Sequence, residues 1–153
     1  MGTGSVTMEG HNRQAALDRL HAEVAARNMA PFWVVDTKNK HDETNQVRDK
    51  QKAVPYLWSF ERDIEPLLWQ SAELIKMENS ERRSLILMNP GLAPRRATTN
   101  TLYMAYRLND PNEIMPPHRH SPSAIRFGLT GSSNFTGVEG ENIVFGPGDM
   151  VLT

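Results

Sequence analysis

The chain has 153 residues, of which 39% are hydrophobic and 23% are charged, a composition typical of a globular protein with one sizeable core. Its 17 basic and 18 acidic residues nearly cancel and are interspersed, which argues against a partner held by charge alone, such as a nucleic acid or a membrane surface. The chain has no cysteine, so disulfides, iron–sulfur clusters, zinc–thiolate sites and thiol nucleophiles are excluded.

The N-terminal residues lack the basic start and apolar run of an export signal, and no apolar stretch reaches the ~18 residues that span a membrane. Together with the absence of cysteine, this pattern predicts a cytoplasmic protein. We expect residues 1–11 to form a disordered leader.

Helical spacing of apolar residues begins after this leader. Residues 12–29 predict an amphipathic helix, with His21 on or near its apolar face. A lone histidine in such a helix is more often a packing or surface residue than a ligand. Residues 30–35 are apolar and aromatic and should be extended, whereas residues 36–52, including His41, are polar and predict a solvated loop.

A second helix is predicted at residues 59–75, with Ser59 as its N-cap and Pro66 either bending it or starting it again. The side chains expected to form its buried face are Leu67, Leu68, Ala72, Leu74 and Ile75. Both helices fall within residues 12–80, which we expect to form a helical and extended N-terminal arm.

The spacing changes to the alternation of β-strands after residue 83. Short strands are predicted at residues 83–88, 102–108, 125–130, 134–138, 142–145 and 150–153. Turn residues lie between them, as in Asn89-Pro90-Gly91 and Gly146-Pro147-Gly148-Asp149. Short strands with such turns are typical of a β-sandwich or a small barrel, so residues 81–153 form the predicted β-domain.

Two histidines, His118 and His120, stand two positions apart after a pair of prolines. Side chains two apart on a strand project from the same face, so both imidazoles could bind one metal ion. Iron needs a third ligand for tight binding, and imidazole also suits zinc, copper and nickel. Arg126 has the same parity and, if buried, needs an anionic partner such as a substrate carboxylate.

Several segments together resemble a known family. One resemblance is to the first motif of the cupin superfamily and to the opening of its second motif. The residues that carry it are Pro117-His118-Arg119-His120, Ala124-Ile125-Arg126-Phe127, Gly131 and residues 147–153. A narrower resemblance is to gentisate 1,2-dioxygenases and their salicylate and hydroxynaphthoate relatives. The segments that carry it are Ala30-Pro31-Phe32-Trp33, Glu81-Arg82-Arg83, Asn89-Pro90-Gly91-Leu92 and His118-Arg119-His120-Ser121 with Arg126.

The resemblance implies a mainly β fold with N-terminal helices, in which the chain is the N-terminal fragment of a bicupin and holds part of a cupin double-stranded β-helix. It implies a non-haem Fe(II) dioxygenase of the extradiol type, which inserts both atoms of O2 between the carboxyl- and hydroxyl-bearing carbons of a salicylate-like aromatic acid. The expected partners are that acid and O2, with no nucleic acid and no membrane. A homotetramer is expected from the family.

By the same resemblance, His118 and His120 match the first two of three histidine ligands to iron, and the third is expected beyond Thr153. Arg126 matches an arginine that holds the substrate carboxylate, and Arg82 matches another at the edge of the pocket. The 153 residues alone should therefore bind iron poorly and be inactive.

Three positions depart from the family pattern. Ala124 replaces the glutamate that serves as a fourth ligand in other cupins, which fits the three-histidine group, and Asn112 replaces a turn glycine. Arg107 stands where relatives have glutamine. We expect this extra cation to favour a substrate with an additional anionic or strongly polar ring substituent, such as a nitro group.

Two other classes of function stay open. One is a non-catalytic cupin that binds a small aromatic acid, with the two histidines as polar lining. The other is an inactive fragment whose helices pack against another subunit and whose exposed strand edges favour self-association. The substrate is also open among gentisate, salicylate, a nitrosalicylate and 1-hydroxy-2-naphthoate.

Overall fold

A computed structural model describes residues 4–34, 52–76 and 83–153, with side chains of the first helix described from Gly10 onward. The chain divides into two compact units, Met1–Met115 and Pro116–Thr153, and each has its own β-sheets. Two residues considered above, His41 and Arg82, lie outside the described residues.

The described residues of the first unit form two α-helices and three strands. Its elements are α1 (Gly4–Ala26), β1 (Met29–Pro31), a π-helical turn (Phe60–Ile64), α2 (Glu65–Leu74), β2 (Ser84–Leu87), a 3₁₀ turn (Pro90–Leu92) and β3 (Ala105–Arg107). The strands form an antiparallel sheet in the order β1-β2-β3, in which Ala30 pairs with Ile86 and Leu85 pairs with Tyr106. All of β2 is buried because this strand is central.

The sheet joins the arm predicted at residues 12–80 to the domain predicted at residues 81–153, since β1 pairs with β2. The predicted domain boundaries themselves stay predictions.

The core of the first unit is built from both helices and the sheet. Its buried side chains are Leu20, Val24, Met29, Ile64, Leu67, Leu68, Leu85 and Leu87. Leu20 and Val24 are four residues apart on α1, so both lie on the apolar face predicted from the sequence. Removal of this apolar surface from water holds the helices against the strands.

Helix α1 starts and ends earlier than residues 12–29 suggested. It begins at Gly4, inside the segment expected to be a disordered leader, because no proline interrupts it there and each added residue adds a hydrogen bond. It ends at Ala26, and Asn28 then adopts a left-handed backbone with φ 52°. The chain turns directly from this residue into β1.

The second predicted helix is present in two parts. Ser59 caps the π-helical turn, where its Oγ accepts a hydrogen bond from the Arg62 N–H (3.4 Å). The α-helix starts afresh at Glu65 with Pro66 in its first turn, where the missing N–H of proline has no intrahelical partner to lose. The predicted face is buried at Leu67, Leu68, Ala72 and Ile75 and half-buried at Leu74.

The second unit consists of two antiparallel strand pairs. Its elements are β4 (Ile125–Phe127), β5 (Asn134–Val138), β6 (Glu141–Phe145) and β7 (Met150–Leu152). β4 pairs with β7, and β5 pairs with β6 across a two-residue turn in which Glu139 and Gly140 have φ values of 51° and 91°. Positive φ at both positions is the geometry of a tight hairpin, and Gly140 adopts it without strain.

Strand pairing in the second unit leaves apolar side chains exposed. Ile125 and Phe127 on β4 share a face with Met150 and Leu152 on β7, and these side chains are 59% to 69% exposed. Only Val151, on the opposite face, is buried in this pair. Strands with N-terminal helices are present as predicted, but the described residues do not close into a barrel.

Candidate metal centre and substrate-binding residues

His118 and His120 lie in the second unit, in an irregular segment before β4. Their expected position on a strand is wrong, because Pro116, Pro117 and Pro122 lack the N–H groups that strand pairing needs. The two rings are nevertheless close, with centroids 5.5 Å apart and planes inclined by 44°. Both side chains are exposed, so the segment presents two adjacent imidazoles to solvent.

Backbone carbonyls contact the same nitrogen of both rings. Nδ1 of His118 lies 3.3 Å from the Pro116 oxygen, and Nδ1 of His120 lies 2.7 Å from the Pro122 oxygen. A carbonyl oxygen only accepts, so each neutral ring carries its proton on Nδ1 and has an unprotonated Nε2. Metal-binding histidines use this tautomer, with one nitrogen on the metal and the other held by a backbone oxygen.

Two imidazoles do not complete an iron site. Non-haem iron is commonly held by three protein ligands that leave other positions open. Residues 4–34, 52–76 and 83–153 contain no group of three or more histidine, cysteine, aspartate or glutamate side chains that could hold a metal. The donor chemistry of the histidine pair fits a divalent transition metal, for which the described residues would supply two ligands.

Arg126 is half-buried on β4, opposite Val151 of β7. Its Nη1 donates a hydrogen bond to Thr153 Oγ1 (2.8 Å). Within the part of the chain that the structure describes, no carboxylate forms an ion pair with this guanidinium. A cation fixed by a neutral hydroxyl is suited to take an anionic ligand.

The other predicted substrate residues are found elsewhere. Arg107 lies in the first unit at the end of β3 and is exposed, and its Nε donates to Asn109 Oδ1 (2.7 Å). Arg82 lies outside the described residues. The structure thus brings the two histidines together, and it describes Arg107 and Arg126 in separate units.

Asn112 occupies the turn after β3 with φ 67°. This left-handed conformation is the one that glycine adopts without strain, and asparagine is among the residue types that tolerate it. The asparagine that departs from the family pattern therefore keeps the turn, as expected from the sequence.

A buried arginine was not predicted. Arg83, directly before β2, is 1% exposed, and its guanidinium forms ion pairs with Asp110 (2.9 Å) and with Glu113. These partners lie 27 and 30 residues along the chain, so no local pattern indicates them. The available signal was a charged residue at the start of a buried strand, because such a charge requires a counter-ion.

Relatives of the chain are aromatic-acid dioxygenases. It is 37% identical over 133 residues to a gentisate 1,2-dioxygenase of Aquipseudomonas alcaligenes, a match that covers 87% of the chain and 37% of that protein. It is 35% identical over 144 residues to a 5-aminosalicylate 1,2-dioxygenase of a Comamonas species, a match that covers 92% of the chain and 37% of that protein. A 1-hydroxy-2-naphthoate 1,2-dioxygenase of Nocardioides sp. strain KP7 matches at 28% identity, and this match covers 97% of the chain and 36% of that protein. The chain is thus similar to gentisate 1,2-dioxygenases and to dioxygenases of related aromatic acids.

The gentisate 1,2-dioxygenase family is of the cupin type. The chain spans 36% to 37% of the length of these three relatives. No protein-family model and no solved structure matches it. None of the helices in the described residues is long and apolar enough to cross a membrane.

Proposed function

We propose that this chain supplies part of the active site of a ring-cleaving dioxygenase that acts on a salicylate-like aromatic acid. The observation that carries the proposal is the pair His118 and His120, whose rings lie side by side with Nδ1 engaged by backbone oxygens and Nε2 left for a metal. The relatives support it, because they are named as 1,2-dioxygenases of hydroxylated aromatic acids.

The proposed metal is Fe(II), held by His118 and His120 together with a ligand from outside the described residues. Imidazole nitrogens suit iron, and three protein ligands would leave positions for the substrate and O2. When bound, Fe(II) would orient the aromatic acid and O2 beside each other and polarise both.

Arg126 is proposed to hold the substrate carboxylate. Its guanidinium is a planar fork of N–H donors that matches a carboxylate, and the Thr153 hydroxyl already orients one end of it. A cation fixed in this way would orient the acid before reaction. Arg82 is proposed as a second cation at the edge of the pocket.

Anaerobic reconstitution of the full-length protein with Fe(II) tests the proposal. We expect ring-opened product and O2 uptake with at least one of gentisate, salicylate, a nitrosalicylate and 1-hydroxy-2-naphthoate. His118→Ala and His120→Ala should each lower iron affinity by about tenfold or more and abolish turnover. The matched control is His11→Ala, which removes an exposed histidine of α1 and should change neither.

The substrate panel separates the open classes of function. Absence of turnover by the iron-loaded protein across all four acids would remove the dioxygenase from consideration. Binding of one acid without turnover would favour the non-catalytic cupin.

A further inference from the structure

Thr153 is fixed by backbone hydrogen bonds at the end of the β4–β7 strand pair. Its N–H donates to the Ala124 oxygen (2.9 Å), and its oxygen accepts the Ala124 N–H (2.8 Å). These two bonds extend the pairing of β4 with β7 by one residue beyond Ile125 and Leu152. The branched side chain of threonine has few rotamers, so a fixed backbone also gives its hydroxyl a defined position.

The strand register places Thr153 on the same face of the pair as Arg126. Side chains alternate along a strand, and Arg126 pairs with Val151, two residues before Thr153. A diagonal neighbour of this kind is within reach of a long side chain, and Arg126 Nη1 donates to Thr153 Oγ1 (2.8 Å). The other side chains of this face, Ala124 and Val151, are apolar. The face therefore presents one cation and one hydroxyl next to each other.

The direction of this hydrogen bond determines which role is left for the hydroxyl. A guanidinium has no acceptor, so Thr153 Oγ1 accepts the bond from Arg126 and keeps its own proton for donation. Within the described residues, this proton has no protein acceptor and Arg126 has no carboxylate partner. Both side chains are half-buried, where donors without a partner are unfavourable. Two adjacent donors are thus available to one anion.

We propose that Thr153 is a further substrate-binding residue, which donates its hydroxyl proton to the same substrate carboxylate that Arg126 holds. A carboxylate accepts at two oxygens, so it can take bonds from the guanidinium and the hydroxyl together. The inference rests on the proposed function, which assigns the carboxylate to Arg126. It also gives a basis for selectivity, since a neutral phenol has no anionic group for this pair of donors.

Anaerobic titration of the full-length, Fe(II)-loaded protein with the four acids of the substrate panel tests the role of Thr153. The variants are compared with the acid that the unmodified protein binds most tightly. Thr153→Val keeps the branched shape without the hydroxyl and should raise the Kd of this acid about tenfold or more, because a hydrogen bond to a charged group is lost. Thr153→Ser keeps the hydroxyl and should restore the Kd to within about threefold.

Catechol serves as a neutral probe, because it has a hydroxyl group in place of the carboxylate of salicylate. Thr153→Val should change the Kd of catechol by less than about twofold, since the lost bond is specific to the anion. An equal loss of catechol and acid binding would mean that the substitution disturbs the strand pair in general, and the proposed role would be wrong.

A double-mutant cycle with Arg126→Met separates donation by Thr153 from an effect through Arg126. If Thr153 donates its own proton, Thr153→Val should weaken acid binding by about threefold or more in the Arg126→Met background as well. Ligand-observed NMR extends these titrations to weak binding. Absence of a further loss would show that Thr153 only orients the guanidinium, and this result would overturn the proposal.

Thr136→Val is the matched control. Thr136 lies on β5 in the other strand pair of the second unit and is half-buried, as Thr153 is. Its replacement removes a threonine hydroxyl from a strand and should leave the Kd of the acid unchanged. If it weakens acid binding as much as Thr153→Val does, the loss is not specific to Thr153 and the proposal is wrong.

The outcomes distinguish the role of Thr153 from the proposed function. If the unmodified protein binds none of the four acids, the proposed substrate site is wrong and the role of Thr153 falls with it. If the protein binds an acid without turnover, the dioxygenase is wrong, but a loss in Thr153→Val that Thr153→Ser reverses still supports donation by Thr153. If the protein turns over an acid that Thr153→Val binds as tightly, the role of Thr153 alone is wrong.

Discussion

Asn89 joins two separate segments of the first unit through its side-chain amide. Its Oδ1 accepts the N–H groups of Val54 and Gly91, both at 3.0 Å, and its Nδ2 donates to the Val54 oxygen (2.8 Å). Gly91 is suited to this turn because a Cβ there would collide with the backbone oxygen of Lys52. The turn predicted from Asn89-Pro90-Gly91 therefore also fixes residues 52–54.

Replacing Asn89 by alanine should lower the free energy of unfolding by about 2–3 kcal/mol, because three backbone groups lose a partner beside a side chain that is 4% exposed. Urea unfolding followed by circular dichroism measures the loss. Asn100→Ala removes an exposed asparagine and should cost less than about 0.5 kcal/mol. Equal effects of the two substitutions would show that the amide does not hold residues 52–54.

Arg107 is expected to favour a substrate with an additional anionic or strongly polar ring substituent. We predict that Arg107→Gln lowers kcat/KM for a nitrosalicylate relative to salicylate by about fivefold, since one exposed charge contributes up to ~1 kcal/mol. Steady-state kinetics with both acids measure this ratio. Arg19→Gln, which removes an exposed arginine of α1, should leave the ratio unchanged. An unchanged ratio in Arg107→Gln would contradict the prediction.

Single-residue roles could be predicted where they depend on residue type and near neighbours. His21 was expected to pack rather than bind a metal, and its Nε2 accepts a hydrogen bond from Trp33 Nε1 (2.9 Å), which requires an unprotonated nitrogen there. Arg83 could not be assigned, because its acidic partners come from a turn that only the folded chain brings to it.

At the scale of elements, the helical segment before α2 begins with a reciprocal cap. The Ser59 N–H donates to Asp63 Oδ2 (2.9 Å), while Ser59 Oγ accepts the Arg62 N–H. Arg62 also donates two side-chain hydrogen bonds to Asp63, at 2.9 and 2.8 Å. The bonds from Arg62 and from the Ser59 backbone lower the pKa of Asp63, and the bond to Asp63 raises the pKa of Arg62.

The lowered pKa makes the contribution of Asp63 to stability depend on pH. The folded state favours the carboxylate, so the contribution is complete above the ordinary aspartate pKa of about 3.9 and is lost as the pH falls through the lower folded value. Asp63→Asn keeps an oxygen acceptor but loses the charge. We therefore expect Asp63→Asn to be less stable than the unmodified protein at pH 7, with a stability difference that shrinks as the pH falls below about 3.9 and disappears below the lower folded pKa.

Urea unfolding at a series of pH values measures this convergence. Glu61→Gln removes a negative charge from an exposed position of the same turn and serves as the control. A stability difference between Asp63→Asn and the unmodified protein that stays constant into the acid range would contradict the assigned role of the carboxylate.

Elements whose own residues carry a turn or capping signal could be predicted from the sequence. Elements that depend on pairing with a distant strand could not. Ser59, Pro66 and the β5–β6 hairpin each carry a backbone signal that the structure uses as expected. The segment of His118 follows strand alternation, yet its prolines prevent pairing. His118 and His120 still lie side by side, because the contacts of Nδ1 with nearby carbonyls orient both rings without a strand.

At the scale of the whole molecule, the two units differ in how much apolar surface they bury. Of the 15 buried hydrophobic residues described, only Val151 belongs to the second unit. The first unit has helices to cover its sheet, whereas the strand pairs of the second unit have apolar side chains on an uncovered face. Alternation in the sequence predicted these strands, but it could not predict which face would be covered, because that depends on other layers.

The exposed apolar face of β4 and β7 predicts that the chain self-associates. Ile125 and Leu152 are opposite each other and 66% and 69% exposed, and burying such side chains between copies is favourable. Ile125→Lys with Leu152→Glu puts opposite charges across the strand pair and should raise the concentration needed for association about tenfold or more. Sedimentation velocity over a concentration series measures this change.

The control is Ser123→Lys with Thr130→Glu, which adds the same charges at exposed polar positions and should leave the association unchanged. If this control weakens association equally, surface charge rather than the apolar face is responsible.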